Sequence, residues 1–206
     1  MKINYHSPFW QRMEKLYYVI LLNLLWILFS LPIITIGAST AALYHTTFNL
    51  VKGKDVQVFT DFYHAFKLNF VRNMVMGLFV ICFGLLLMLV QGFYLQLATE
   101  ISQVIYYLYL FVTFLFILFL VNIFPVLGSF KGSFLEIARI TLFLSIKYLP
   151  MSILMIIINF FILYLCQFVI PLAVIAVALI AFVNSHIFLK KVLKVSFTAE
   201  ELSSVN

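Results

Sequence analysis

Apolar segments follow one another from Leu16 to Leu193, separated by short links, and no stretch between them is polar enough to be a water-soluble domain. A soluble fold must cover its surface with polar side chains. Here only 10% of residues are charged, against roughly 25% in soluble domains, while 65% are hydrophobic and the mean hydropathy is +1.15. That balance excludes a soluble globular enzyme, a nucleic-acid module, a disordered tail and a lone anchor carrying a soluble domain. The pattern reads as an all-α, polytopic membrane helix bundle, one transmembrane domain over residues 1–206. A charged start before the apolar run Leu16–Leu31 resembles a secretory signal. The apolar segments that follow make it more simply a first span.

The spans are expected at about 16–31, 33–51, 72–98, 104–127, 151–167 and 172–189. Pro32 should kink or end the first helix. Pro32-Ile-Ile-Thr-Ile-Gly37 then reads as an extended or broken link, with Ser39 or Thr40 as the N-cap of the next helix. Pro125 and Gly128 should break the run that begins at Val104. Two amphipathic stretches, 58–70 and 130–147, read as cytoplasmic elbow helices. In the first, Phe59, Phe62, Phe66 and Phe70 share a helical face opposite Thr60, Asp61, His64 and Lys67. Such a helix can lie flat with its phenylalanines in the acyl boundary. It can also present Asp61, His64 and Lys67 to a partner.

Charge distribution sets the expected topology. The net charge is +6, from 13 Lys+Arg against 7 Asp+Glu. The bases cluster in the 52–72 link, in the 129–147 link and at Lys190, Lys191 and Lys194, whereas the links near residues 100 and 167–171 carry none. By the positive-inside rule those three basic places lie in the cytoplasm. Six crossings put both ends inside; five, the alternative, put the N-terminus outside. The six-crossing version requires 33–51 to cross, although it is moderately apolar and short for a bilayer that needs ~20 helical residues. A weak internal repeat favours six, since helix, basic amphipathic stretch and helix recur in both halves. The protein is thus expected in the cell membrane as a multi-pass protein with a cytoplasmic C-terminus, and its first partner is the lipid bilayer. Tyr94, Tyr106, Tyr107 and Tyr109 flank the uncharged link near residue 100, as headgroup-level aromatics do.

Reactive chemistry has little to stand on. Glu14, Asp55, Asp61, Glu100, Glu136, Glu200 and Glu201 all lie in loops or near ends, so no ionisable group suits an ion-driven pump. No Walker motif, no Gly-x-Ser-x-Gly elbow and no metal-ligand spacing occurs. Cys82 and Cys166 sit in apolar runs and read as packing residues. The expectation is therefore no enzyme, no cofactor and no metal site. Asn23, Gln91, Asn122, Asn159, Gln167, Asn184 and His186 are the polar groups in or near spans. Each can be a helix–helix hydrogen bond, or the polar lining of a solute site. Asn23 with Ser30 and Thr35 borders the break at Pro32. Gly77, Gly84 and Gly92 offer one helix a small-residue groove.

The run Leu21-Leu-Asn-Leu-Leu-Trp-Ile-Leu-Phe-Ser-Leu-Pro-Ile-Ile-Thr-Ile-Gly-Ala-Ser-Thr-Ala-Ala-Leu-Tyr44 resembles the N-terminal signature of the YesL family of bacterial integral membrane proteins. Phe59-Thr-Asp-Phe-Tyr-His-Ala-Phe-Lys-Leu-Asn-Phe70 resembles the family's amphipathic Phe/Lys segment. Beyond residue 75 the likeness is one of hydropathy pattern, and this chain is poor in charge around 52–58. The resemblance marks Asn23, Trp26, Pro32, Thr35, Gly37, Asp61, His64, Phe66 and Lys67 as candidate motif or partner contacts. It implies a protein of Gram-positive bacteria with an accessory role in carbohydrate uptake, encoded near sugar ABC importers, and it supplies no catalytic residue. The stretch around Glu136 and Arg139 lacks the glycine of a permease coupling helix, so the chain reads as a non-catalytic companion of an ABC importer permease. The alternative is a small-solute-binding membrane subunit or facilitator, with a cavity lined by Asn23, Asn122, Asn159 or Asn184.

Overall fold

A computed structural model describes residues 8–94, 100–168 and 170–189, and within them every regular element is helical. The order is α1 (Pro8–Ser30), a 3-10 turn (Ile33–Thr35), α2 (Ile36–Val51), α3 (Val58–Lys67), α4 (Phe70–Tyr94), α5 (Glu100–Ser129), α6 (Phe134–Lys147), α7 (Leu149–Phe168) and α8 (Ile170–Ile187). Within α4, α5 and α7, the segments Phe70–Gly92, Ile105–Ser129 and Leu149–Phe168 are long and apolar enough to cross a membrane. Shorter apolar stretches occupy Leu16–Ser30 in α1 and Ile175–Ile187 in α8. Lys190, Lys191, Lys194 and the tail Thr198–Asn206 lie outside the described residues, as do residues 95–99 of the uncharged link.

The core is built around α2. Its neighbours are α1, α3, α4, α5 and α8, and Gly37 to Tyr44 is one continuous buried run. Small side chains make this possible. A Cβ added to Gly37 would lie 2.4 Å from the Asn73 carbonyl oxygen and 2.6 Å from the Cα of Gly77. A Cβ added to Gly77 would meet the Cα of Gly37 at 2.4 Å. The backbones of α2 and α4 therefore touch, with no side chain between them. Gly128 near the end of α5 plays the same part against Tyr44 and His45. Around these contacts the core fills with Leu22, Leu43, Met76, Ile123 and Phe188, each 1% exposed or less.

The outer faces of α4, α5 and α7 are strongly apolar. Leu86, Met88 and Leu89 of α4, Tyr107, Leu108 and Phe111 of α5, and Phe160, Phe161 and Tyr164 of α7 are all exposed, Phe160 by 75%. In water each such side chain would forgo about 1.5–3 kcal/mol of burial. A continuous apolar exterior of this extent suits lipid.

Several local expectations need correction. The helix after the break begins at Ile36, so Ser39 and Thr40 are not caps. Both face the core, and Thr40 donates from Oγ1 to the Ile36 carbonyl one turn back at 2.7 Å. Pro125 does not break α5, which continues to Ser129. Proline removes one helical hydrogen bond, and the flanking Val121 and Val126 are locked in the core. Tyr109 is buried and donates to the Leu87 carbonyl at 3.1 Å, so it ties α5 to α4.

The glycine contact generates a sharp test. Gly37→Ala should destabilise the detergent-solubilised protein by about 1–3 kcal/mol, the usual cost of overpacking. Gly92→Ala, with open space around its Cβ, should be neutral or stabilising by up to about 1 kcal/mol through helix propensity. Thermal unfolding of the two variants side by side checks this.

Candidate functional site

The candidate residues fall into two groups. Asn23, Trp26, Pro32, Thr35 and Gly37 gather at the junction of α1 and α2, where they form a lock. Pro32 is extended, with φ −75° and ψ 116°, and it turns the chain out of α1. The end of α1 then has carbonyls without helical partners. Thr35 supplies one: its Oγ1 lies 2.7 Å from both the Phe29 and the Pro32 carbonyl oxygens, which share its single proton. Trp26 reaches across from α1 and donates from Nε1 to Thr40 Oγ1 at 3.0 Å. Gly37 then lets α2 descend against α4.

Asn23 points the other way. It is 2% exposed, and its Oδ1 accepts from the Ala178 backbone N–H of α8 at 3.1 Å. The expected group of Asn23, Ser30 and Thr35 is thus not assembled into one site. Asn122 donates to Ser152 Oγ at 2.8 Å and to the Leu118 carbonyl at 2.9 Å, joining α5 to α7. Ser145 of α6 also donates to the Leu118 carbonyl, at 3.1 Å. Asn184 of α8 lies 3.2 Å from the hydroxyl of Tyr44 in α2. Its Oδ1 is buried without a partner, which exchanging the amide's O and N would relieve by letting Tyr44 donate to it. Asn159 is half-buried, while Gln91, Gln167 and His186 are exposed. Asn23, Asn122 and Asn184 thus serve three separate helix contacts and do not line one chamber.

The second group lies on α3. Val58, Phe62 and Ala65 are buried, and Phe62 is 0% exposed. Phe29 of α1 packs on this face, with ring centroids 5.5 Å from Phe62 and 4.9 Å from Phe66. The phenylalanine stripe is therefore mostly turned into protein, not into an acyl boundary. The cause is the short 52–57 link, which returns α3 onto α1 and α2. Phe59 alone of the stripe is strongly exposed, at 60%. Phe70 belongs to the next helix, because Asn69 adopts φ 56° and reverses the chain. Thr60, His64 and Lys67 are exposed and Asp61 is half-buried. Lys67 rests its ammonium 4.4 Å above the Tyr63 ring.

Two features escaped the sequence reading, and only the first has a local sequence signal. Ser133-Phe-Leu-Glu136 is a capping box: Ser133 Oγ accepts from the Glu136 N–H, and Glu136 Oε2 accepts from the Ser133 N–H at 2.8 Å. It starts α6 at Phe134. The Gly37–Gly77 pair has no local signal, since its members lie on different helices.

The lock and α3 both fall within residues 19–90, which match the family described as "Protein of unknown function, DUF624". The chain is also 28% identical over 139 residues to "Uncharacterized protein YesL" of Bacillus subtilis (strain 168). Over these residues the chain is similar to the YesL-like proteins. The YesL match covers 65% of this chain and 65% of that relative. The family match carries no assigned activity. No solved structure matches the chain.

The lock makes a measurable claim. Thr35→Val keeps the shape of the side chain and removes the proton that the Phe29 and Pro32 carbonyls share. It should lower unfolding free energy in detergent by about 1–3 kcal/mol, and Thr35→Ser should restore most of the loss. Chemical denaturation followed by tryptophan fluorescence reads it through the adjacent Trp26.

Proposed function

We propose that this YesL-like chain is a non-catalytic integral membrane protein that works by association, as an accessory partner of a carbohydrate ABC importer. In this reading it crosses the membrane six times, with both ends in the cytoplasm and α3 and α6 at the cytoplasmic surface. The passage of α2 through the bundle is what makes six crossings physically reasonable. A helix covered by protein need not be as apolar as one facing lipid.

The observation that carries the proposal is a contrast between inside and outside. Asn23, Trp26 and Asn122 are each used in a bond that holds two helices together. On α3 the polar groups Thr60, His64 and Lys67 face outward. These three interior groups serve packing, whereas the outward groups of α3 are placed to meet another protein. The importer as partner class comes from the family resemblance.

The test is co-purification in mild detergent with the permease subunits of the importer encoded beside it. Recovery of a complex is expected, and the double charge reversal of Asp61→Lys with Lys67→Glu should weaken it about tenfold or more. Membrane insertion and thermal stability should stay unchanged. Failure to recover any complex with those permeases contradicts the partner assignment, and a complex indifferent to the α3 charges removes α3 as the contact.

A further inference from the structure

At the end of the bundle where α2 and α5 finish, two adjoining cavities share His45, Gly128, Ser129 and Phe130. The larger, about 260 Å³, is also lined by Lys52 and Lys54. The smaller, about 50 Å³, reaches Arg72 and Lys131. Four formal cations, Lys52 and Lys54 from the link after α2, Arg72 from the first turn of α4 and Lys131 from the link after α5, thus converge on one cleft, and no carboxylate lines it. Orientation by the positive-inside rule asks only that bases lie on one side of the membrane. It does not ask that they meet around a hollow.

The competing account is that these bases offset helix ends. The C-termini of α2 and α5 each place roughly half a negative charge near the cleft. Together that is about one charge against the four cations, so an excess of positive charge remains. Asp55 and Glu136 lie on the same links but outside the lining, and Glu136 is held in the capping box of α6. Arg72 is half-buried and already oriented. Its Nη1 donates to the Gly132 carbonyl at 2.9 Å, and its Nε and Nη2 donate to Asn73 Oδ1 at 3.2 and 3.0 Å. Three of its five N–H groups are used in these bonds, and two remain. His45 is fixed in the same way by the Gly128 carbonyl, 3.0 Å from Nδ1. A guanidinium oriented by its hydrogen bonds beside exposed lysines, around a hollow of this size, suits a phosphate-type anion.

We infer that this cleft, framed by His45, Lys52, Lys54, Arg72, Ser129 and Lys131, binds a phosphate group. The group can be carried by a soluble phosphate or by the headgroup of an anionic lipid, since both present the same oxygens.

The full chain, purified in neutral detergent, is titrated with inorganic phosphate. In parallel it is reconstituted into phosphatidylcholine with or without phosphatidylglycerol. Thermal stability is read in both arms, because a ligand that binds the folded state raises it. Stabilisation in either arm supports the site, and the arm that responds identifies the source. Lys52→Gln, Lys54→Gln and Lys131→Gln change exposed side chains, so the triple variant should fold. It should bind about tenfold more weakly or worse, while Lys67→Gln, a lysine outside the cleft, should bind as the wild type does. No stabilisation in either arm overturns the inference. Stabilisation that the triple variant retains in full, or that Lys67→Gln loses equally, overturns it as well.

Discussion

Contact between the backbones of α2 and α4 at Gly37 and Gly77 sets the geometry that the rest of the bundle follows. Lipid tails are as apolar as leucine, so burying leucine between two helices in a membrane gains little. Close van der Waals packing and a few hydrogen bonds must hold the helices instead. A helix of small residues serves that purpose because neighbours can approach on all sides. In α2 the run from Gly37 to Ala42 holds one glycine, three alanines, one serine and one threonine, and all six are buried. Its threonines would be a liability there without internal partners. Thr40, Thr46 and Thr47 each donate to the carbonyl four residues back, so they can lie in the core with their hydroxyls satisfied.

The lock between α1 and α2 protects this arrangement at its weakest point. A proline break in an apolar environment exposes carbonyls that lipid cannot hydrogen-bond. Thr35 meets that need from within the link, and Trp26 fastens the two helices across it. Asn23 anchors the other side of α1 to α8. The signature by which the chain resembles the YesL family is therefore largely a packing signature. Its residues keep a buried helix in place, and the exposed chemistry lies elsewhere, on α3 and around the cleft at the ends of α2 and α5.

The all-helical character and the apolar runs were legible because a charge-poor chain of this hydropathy has few other ways to satisfy its backbone. Pro32 announced the break, and the phenylalanine period announced α3. What the sequence did not disclose was direction. Period alone says that Phe62 and Phe66 share a face, but not whether that face meets lipid or Phe29. Likewise Asn23, Asn122 and Asn184 could have lined one chamber or served three contacts, and only the placement of the helices decides between these. Ser39 and Thr40 misled because a hydroxyl near a helix start suits a cap and a threonine inside a helix equally well. Pro125 misled because local propensity gives way where tertiary packing holds the flanking residues. The Gly37–Gly77 contact and the convergence of Lys52, Arg72 and Lys131 join residues from different elements of the chain, and such pairs leave no periodic trace.

The central claim is that α2 is sheathed by protein on every side while α7 faces lipid. Labelling at Ala38, Ala41 and Ala42 can be compared with labelling at Ile157, Phe160 and Phe161 by mass spectrometry, using a lipid-soluble carbene-generating photoprobe on intact membranes. The account predicts that the α7 positions label readily and the α2 positions do so only after denaturation. Labelling of α2 at the rate of α7 in the folded protein would contradict it.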